Sequence, residues 1–135
     1  MPALSATRSY EVRGPRAPED VWDRYVRPTR WSEWSPQIRG VRYPHDRLLP
    51  STSGQVLGPA GLPVPFDVLD VDASDPAGRS WTWVARLGPV RVRMRHDVRP
   101  SPGGGTATGW QVTGPLPVVL LYAPLALVAL RRLVR

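Results

Sequence analysis

Residues 116–130 read LPVVLLYAPLALVAL, about 15 residues without a charge. No other stretch of the chain is as long and as apolar. A membrane-spanning helix needs roughly 20 apolar residues, so the run is read as a helix inside a folded core. Gly114 and Pro115 break the chain before it, and the helix is expected to run on to Arg135. Its apolar residues point nearly all round, so protein has to cover most of its sides. A strongly curved sheet that grips the helix would provide that cover.

The residues upstream supply such a sheet. Val90, Val92, Met94, His96 and Val98 alternate with Arg91, Arg93, Arg95, Asp97 and Arg99. A period of two marks a strand with one dry and one wet face. Residues 64–73, 80–87 and 106–113 also read as strands. They are separated by Asp75-Pro76-Ala77-Gly78, by Gly88-Pro89 and by the loop 100–105. Shorter strands are expected over 38–43 and 55–57, with a polar loop over 45–54 between them.

The first third is mixed. Residues 5–13 alternate loosely and read as a strand. Ala17-Pro18-Glu19-Asp20-Val21-Trp22 then opens a helix. Proline is pre-set for a first helical turn, and acids there complement the positive end of the dipole. Val21, Trp22, Tyr25 and Val26 share one face at helical spacing, which predicts a helix over 18–26 that Pro28 ends. Residues 28–34 make a second short turn with Trp31 and Trp34 on one side. The predicted order is strand, two short helices, six strands, long helix. Short turns make the pairing antiparallel. The fold class is α+β, with six to seven strands curved around the last helix. The 135 residues suit one domain and one core, spanning 1–135.

Composition narrows the chemistry. There is no cysteine, which excludes disulfides, thiol nucleophiles and Cys-ligated metal. Residues 1–12 lack the apolar run of a secretory signal, and a cytoplasmic protein is expected. The net charge is +7, and every one of the 18 basic residues is arginine. Arg91, Arg93, Arg95 and Arg99 form a stripe that could meet phosphates. No aromatics interleave with it and no nucleic-acid motif accompanies it. A solvated outer face is therefore expected, with no nucleic-acid partner. Arg131, Arg132 and Arg135 suit the negative end of the last helix dipole. No stable membrane insertion is expected.

The segment Ala17-Pro18-Glu19-Asp20-Val21-Trp22…Arg30-Trp31-Ser32-Glu33-Trp34-Ser35-Pro36 resembles the START/SRPBCC superfamily, nearest its polyketide cyclase/dehydrase-like branch. That family carries a helix with a "VW" pair, a "W–two residues–W–x–P" turn, a β-meander and a long final helix. Here Pro65-Phe66-Asp67-Val68, Trp81-Thr82-Trp83 and His96-Asp97-Val98 fall in the meander. Arg27 stands where many relatives have an acid just before the tryptophan turn, and the final helix is short for the family. The resemblance implies a helix-grip (Bet v 1-like) fold with a deep apolar pocket. Relatives bind lipids, hormones or polyketides, and some catalyse cyclisation or dehydration.

Several residues are candidates for the site. His96, on the inward face, could act as general acid or base, hydrogen-bond a ligand carbonyl, or sit in the core bonded to backbone. Trp31 and Trp34 could gate the cavity mouth, with Trp83 and Trp110 lining it; the alternative is plain core packing. Phe66, Met94 and Tyr122 complete the expected ligand-binding set. His45-Asp46 gathers no further ligands, so no metal is expected, and no cofactor either. Asp67, Asp70 and Asp72 are expected on different faces of their strand, with Asp70 and Asp72 toward water. Three functions remain open, in this order: binding a small hydrophobic or aromatic molecule, a cyclase/dehydratase activity with His96 as its acid–base group, and an interaction through the basic surface.

Overall fold

A computed structural model describes residues 5–135. Strand β1 (Ser5–Gly14) leads to helix α1 (Pro18–Val26), a 3-10 turn (Pro28–Arg30) and the one-turn helix α2 (Trp31–Trp34). Then come β2 (Gly40–Arg42), β3 (Thr52–Leu57), β4 (Pro63–Asp72), β5 (Arg79–Leu87), β6 (Val90–Pro100), β7 (Thr106–Pro115) and α3 (Leu116–Val134). The seven strands form one antiparallel sheet in the order β1-β7-β6-β5-β4-β3-β2. This is the helix-grip architecture.

The order explains where the helices lie. Strands β2 to β7 form a meander, but β1 pairs with β7, at the opposite end from β2. The chain between β1 and β2 must therefore cross the concave face, and α1 and α2 make that crossing. Val21, Tyr25 and Trp31 are buried there.

Along β6 the alternation holds. Val92, Met94, His96 and Val98 are buried and Arg91, Arg93 and Arg95 exposed. In β4 the register shifts between Val68 and Asp70. The bulge adds one residue to the strand and reverses the parity beyond it. Asp67 pairs with Val84, Asp70 with Thr82 and Asp72 with Ser80, positions that continue on β6 as Arg93, Arg95 and Asp97. All three acids thus share the convex face, contrary to the split expected from strict alternation.

Helix α3 has 19 residues, longer than its apolar run because Arg131 and Arg132 continue it. By length and composition alone it could cross a membrane; in this fold one side of it packs on β1 and β7. Its last turn is fastened by hydrogen bonds from α1 and the β1–α1 link. The Arg16 amide donates to Val134 O at 3.0 Å. The Arg24 guanidinium donates to Arg132 O at 3.1 Å and to Leu133 O at 2.7 Å.

The outer side of α3 is uncovered, which corrects the expectation that protein surrounds it. Leu120, Leu125 and Val128 are exposed, and Leu121 is 78 % exposed. The reason is geometric. A helix lying along two strands buries one flank, and the rest of the concave face is filled from α1 and α2 instead. The two flanks should respond differently to mutation. Leu121→Gln is expected to change unfolding free energy by less than about 0.5 kcal/mol. Leu130→Ala, at a site 1 % exposed, should cost about 3 kcal/mol. Urea titration of the two variants checks the contrast.

Candidate functional site

The concave face is built in cross-strand rows. Tyr10 of β1, Trp110 of β7, His96 of β6 and Trp81 of β5 stand opposite one another in sequence across four strands. The next row holds Val112, Met94, Trp83 and Val68. A third places Val92 opposite Ala85 and Ala85 opposite Phe66. Side chains on one face of a sheet repeat every second residue, so Trp81, Trp83 and Ala85 point the same way.

Between these rows, α3 and the segment after α2 lies a cavity in two adjoining parts that share walls. The narrow part is walled by Trp31, Trp34, Trp81, Trp110, His96 and Leu130, among others. It leaves about 30 Å3, the room of a single water. The wide part leaves about 200 Å3 between Val56, Val64, Ala85, Leu87 and Val92 on the sheet and Val118 and Leu125 on α3. Gln37, Ile38, Trp83, Met94 and Tyr122 line both. No Arg, Asp or Glu lines either part.

His96 is fixed by its neighbours. The Trp83 indole N–H donates to His96 Nε2 at 3.0 Å. Trp81 stacks on the imidazole, with ring centroids 4.7 Å apart and planes 14° from parallel. Burial pushes the imidazole pKa from the usual 6.5 down to about 3, so the ring is neutral at pH 7. Because Nε2 accepts, the single ring proton sits on Nδ1. Nδ1 has no partner, and neither do the buried Nε1 atoms of Trp81 and Trp110 or Oε1 of Gln37. Burial also raises the Tyr122 pKa, with the Gln37 side chain opposing the shift. Buried polar atoms without partners are uncommon in folded proteins, and here they belong to residues that wall one chamber.

The other candidates are placed as follows. Trp31 Nε1 donates to Tyr25 O at 2.7 Å and Trp34 Nε1 to Arg24 O at 3.2 Å. Both rings are buried and tied to α1, so they are fixed walls and not a gate. Trp83, Met94, Trp110 and Tyr122 line the cavity. Phe66 does not. It lies behind Trp31 and Trp83, with centroids 5.6 Å from each, and serves the core. His45 is exposed at the surface against Tyr43. Arg99 on the basic stripe pairs with Glu11 and Asp97.

Sequence reading left Trp81, Gln37, Ala85 and Val92 out of the site. Trp81 had a signal, its spacing of two from Trp83. Val92 shares a strand face with Met94 and His96. Gln37 had none, because its position depends on how the chain leaves α2.

A family profile described as "Polyketide cyclase / dehydrase and lipid transport" matches residues 5–135. The chain belongs to this family. Solved structures repeat the family's architecture at low identity. The hypothetical protein jhp0584 from Helicobacter pylori is 16 % identical, with a TM-score of 0.73 over 98 % of this chain and 86 % of that one. A protein from Rhizobium leguminosarum is 15 % identical, with a TM-score of 0.68 over 98 % of this chain and 96 % of that one. The Bet v 1-like protein Ara h 8.0201 is 14 % identical, with a TM-score of 0.66 over 93 % of this chain and 95 % of that one. No curated protein matches the sequence. Members of this family have a fold compatible with binding small hydrophobic ligands.

Proposed function

We propose that this family member binds a small hydrophobic or aromatic molecule between α3 and the concave sheet. The observation that carries the reading is the wide compartment, about 200 Å3 walled almost wholly by aliphatic and aromatic side chains. Ligand sites are mostly apolar hollows with a few placed polar groups. An unfilled apolar hollow weakens packing, so a guest that fills it returns contacts the fold lacks.

A thermal-shift panel of one-, two- and four-ring aromatics and fatty acids tests this. A ligand at a hundred times its Kd stabilises the fold by about 2.7 kcal/mol, which raises Tm by several degrees. Ala85→Phe places a ring in the wide compartment and should abolish the shift while the variant stays folded. If no apolar compound moves Tm, or if the Ala85→Phe protein responds like the parent, the cavity is not a binding site.

A cyclase or dehydratase centre with His96 as acid–base group is the weaker reading. A general base needs a free lone pair, and the neutral imidazole has one, on Nε2, which already accepts from Trp83. The basic convex face is weaker still, since Arg99 is neutralised by Glu11 and Asp97 and Arg95 lies 3.6 Å from Asp97.

A further inference from the structure

The cavity has a chemical polarity that its apolar lining conceals. Trp110, His96 and Trp81 sit on β7, β6 and β5 as successive partners in one row. Neighbouring side chains in such a row stand about 5 Å apart at their Cβ atoms. Each of the three carries a ring N–H. The indoles are donors by constitution, and the imidazole is a donor at Nδ1 because Nε2 accepts from Trp83. All three nitrogens are buried and unpartnered, and all three residues wall the narrow compartment. The other indoles that line the cavity are already spent. Trp31 and Trp34 donate to backbone carbonyls, and Trp83 donates to His96. Three consecutive donors have therefore been left without an acceptor of the protein's own.

We infer that the narrow end of the cavity recognises an uncharged carbonyl oxygen, and that the molecule bound is a one- or two-ring ketone, quinone or lactone. The inference rests on the binding reading above. Three observations set the class. The unpaired donors ask for an acceptor, since a buried N–H left without one costs about 1–3 kcal/mol. The lining contains no arginine or other cation, so a carboxylate would enter as an uncompensated buried charge. The size limit comes from the wide compartment. A cavity of about 150 Å3 admits benzene, so about 200 Å3 suits a body of one or two rings and is too small for a two-chain lipid. The carbonyl oxygen lies in the narrow end against the Trp110–His96–Trp81 row, and the rings lie between Val92, Ala85 and Leu125.

The test compares shape-matched probes on the intact protein: tetralin, 1-tetralone and 2-naphthoate, titrated by calorimetry. The 1H–15N indole resonances are followed in parallel, those of Trp81 and Trp110 assigned with W81F and W110F. The expected result is that 1-tetralone binds at least about tenfold more tightly than tetralin, and more tightly than 2-naphthoate. The indole resonances of Trp81 and Trp110 move downfield with the ketone and stay in place with the hydrocarbon. Trp110→Phe keeps an aromatic ring and removes its donor, so it should narrow the ketone–hydrocarbon gap. Equal affinity for tetralin and 1-tetralone overturns the inference, because it means the donors are satisfied by water that the ketone does not improve on. Tighter binding of 2-naphthoate overturns the neutral class. Binding of none of the three sinks the cavity reading as well, whereas tetralin binding without a ketone preference sinks the carbonyl site alone. The wild-type titrations and resonances decide the matter even where a tryptophan variant folds poorly.

Discussion

Acid is expected to destabilise this protein from about pH 6.5 downward, before its carboxylates begin to titrate, with His96 as the cause. Buried against Trp81 and Trp83, its imidazole takes a proton in the folded state only near a pKa of about 3, against 6.5 when free. The unfolded chain therefore binds a proton first. Stability is complete above pH 6.5 and falls as pH drops toward the folded value, at up to about 1.4 kcal/mol per pH unit. By pH 4 the loss is of order 3 kcal/mol, a large share of the 5–15 kcal/mol typical of a domain. Glu11, Asp20 and Asp23 behave differently. Their carboxyls are held below the usual values of 4.5, 3.8 and 3.8. Glu11 and Asp20 owe this first to hydrogen bonds from Arg13 and Arg16. In Asp23 burial opposes the shift, and hydrogen bonds from Arg27 and Arg30 outweigh it. Their share is complete above these ordinary values and is lost as pH falls below them, after the His96 loss has begun. His96→Phe keeps a ring against Trp81 and removes the titration. Urea unfolding at steps from pH 7 to pH 4 should show a slope in the parent and a nearly flat line in the variant. Matching slopes would mean that another group carries the acid sensitivity.

Detaching the end of α3 is expected to cost as much. Arg24 is 6 % exposed and donates to two carbonyls of the last turn, Arg132 O and Leu133 O. A guanidinium there satisfies acceptors that the helix leaves open and opposes the negative end of its dipole. Arg24→Met keeps the aliphatic stem and strands both carbonyls, which should cost about 3 kcal/mol. Gly14→Ala attacks the same junction from the sheet. A Cβ on Gly14 would run into the Val134 carbonyl and its side chain. Backbone cannot rotate away as a side chain can, so a loss of about 2–3 kcal/mol is expected. The two losses should not add, because both release one contact surface. Denaturant titrations of the singles and the double variant measure this. Losses under about 0.5 kcal/mol in both singles would show that α3 is held by its apolar flank alone.

The path from sequence to fold was short wherever the signal was local. The alternation over 90–99 set which way each side chain of β6 points, and the structure keeps that pattern. Strict alternation fails in β4, because the bulge between Val68 and Asp70 has no local signature; it puts Asp67 on the same water-facing side as Asp70 and Asp72, whose exposure was expected. The uncharged run in α3 identified a helix but not how much of it is covered, which depends on where β1 and β7 lie. Inward placement of His96 was legible, while its role was not. The free Nδ1 follows from Trp83 donating to Nε2, and the donor row follows from the register of three strands. Neither is written in spacing along one strand. Arg24 went unnoticed for the opposite reason. A lone arginine on a short helix reads as solvated, and only its meeting with the end of α3, 108 residues away in the chain, shows why it is buried.

The uneven fastening of α3 has a mechanical consequence. Among the described residues, the hydrogen bonds that tie its backbone to the rest of the fold fall on Arg132, Leu133, Val134 and Arg135. Midway, Pro124 lacks the amide that would reach back to Leu120. The half before this weak joint carries Val118 and Tyr122, which roof the wide compartment. Local opening is cheapest where the fewest ties must break, so the helix is expected to open as a drawbridge moored at its C-terminal end. For the proposed guest, the expected way in is to lift the first two turns, with the sheet beneath left closed.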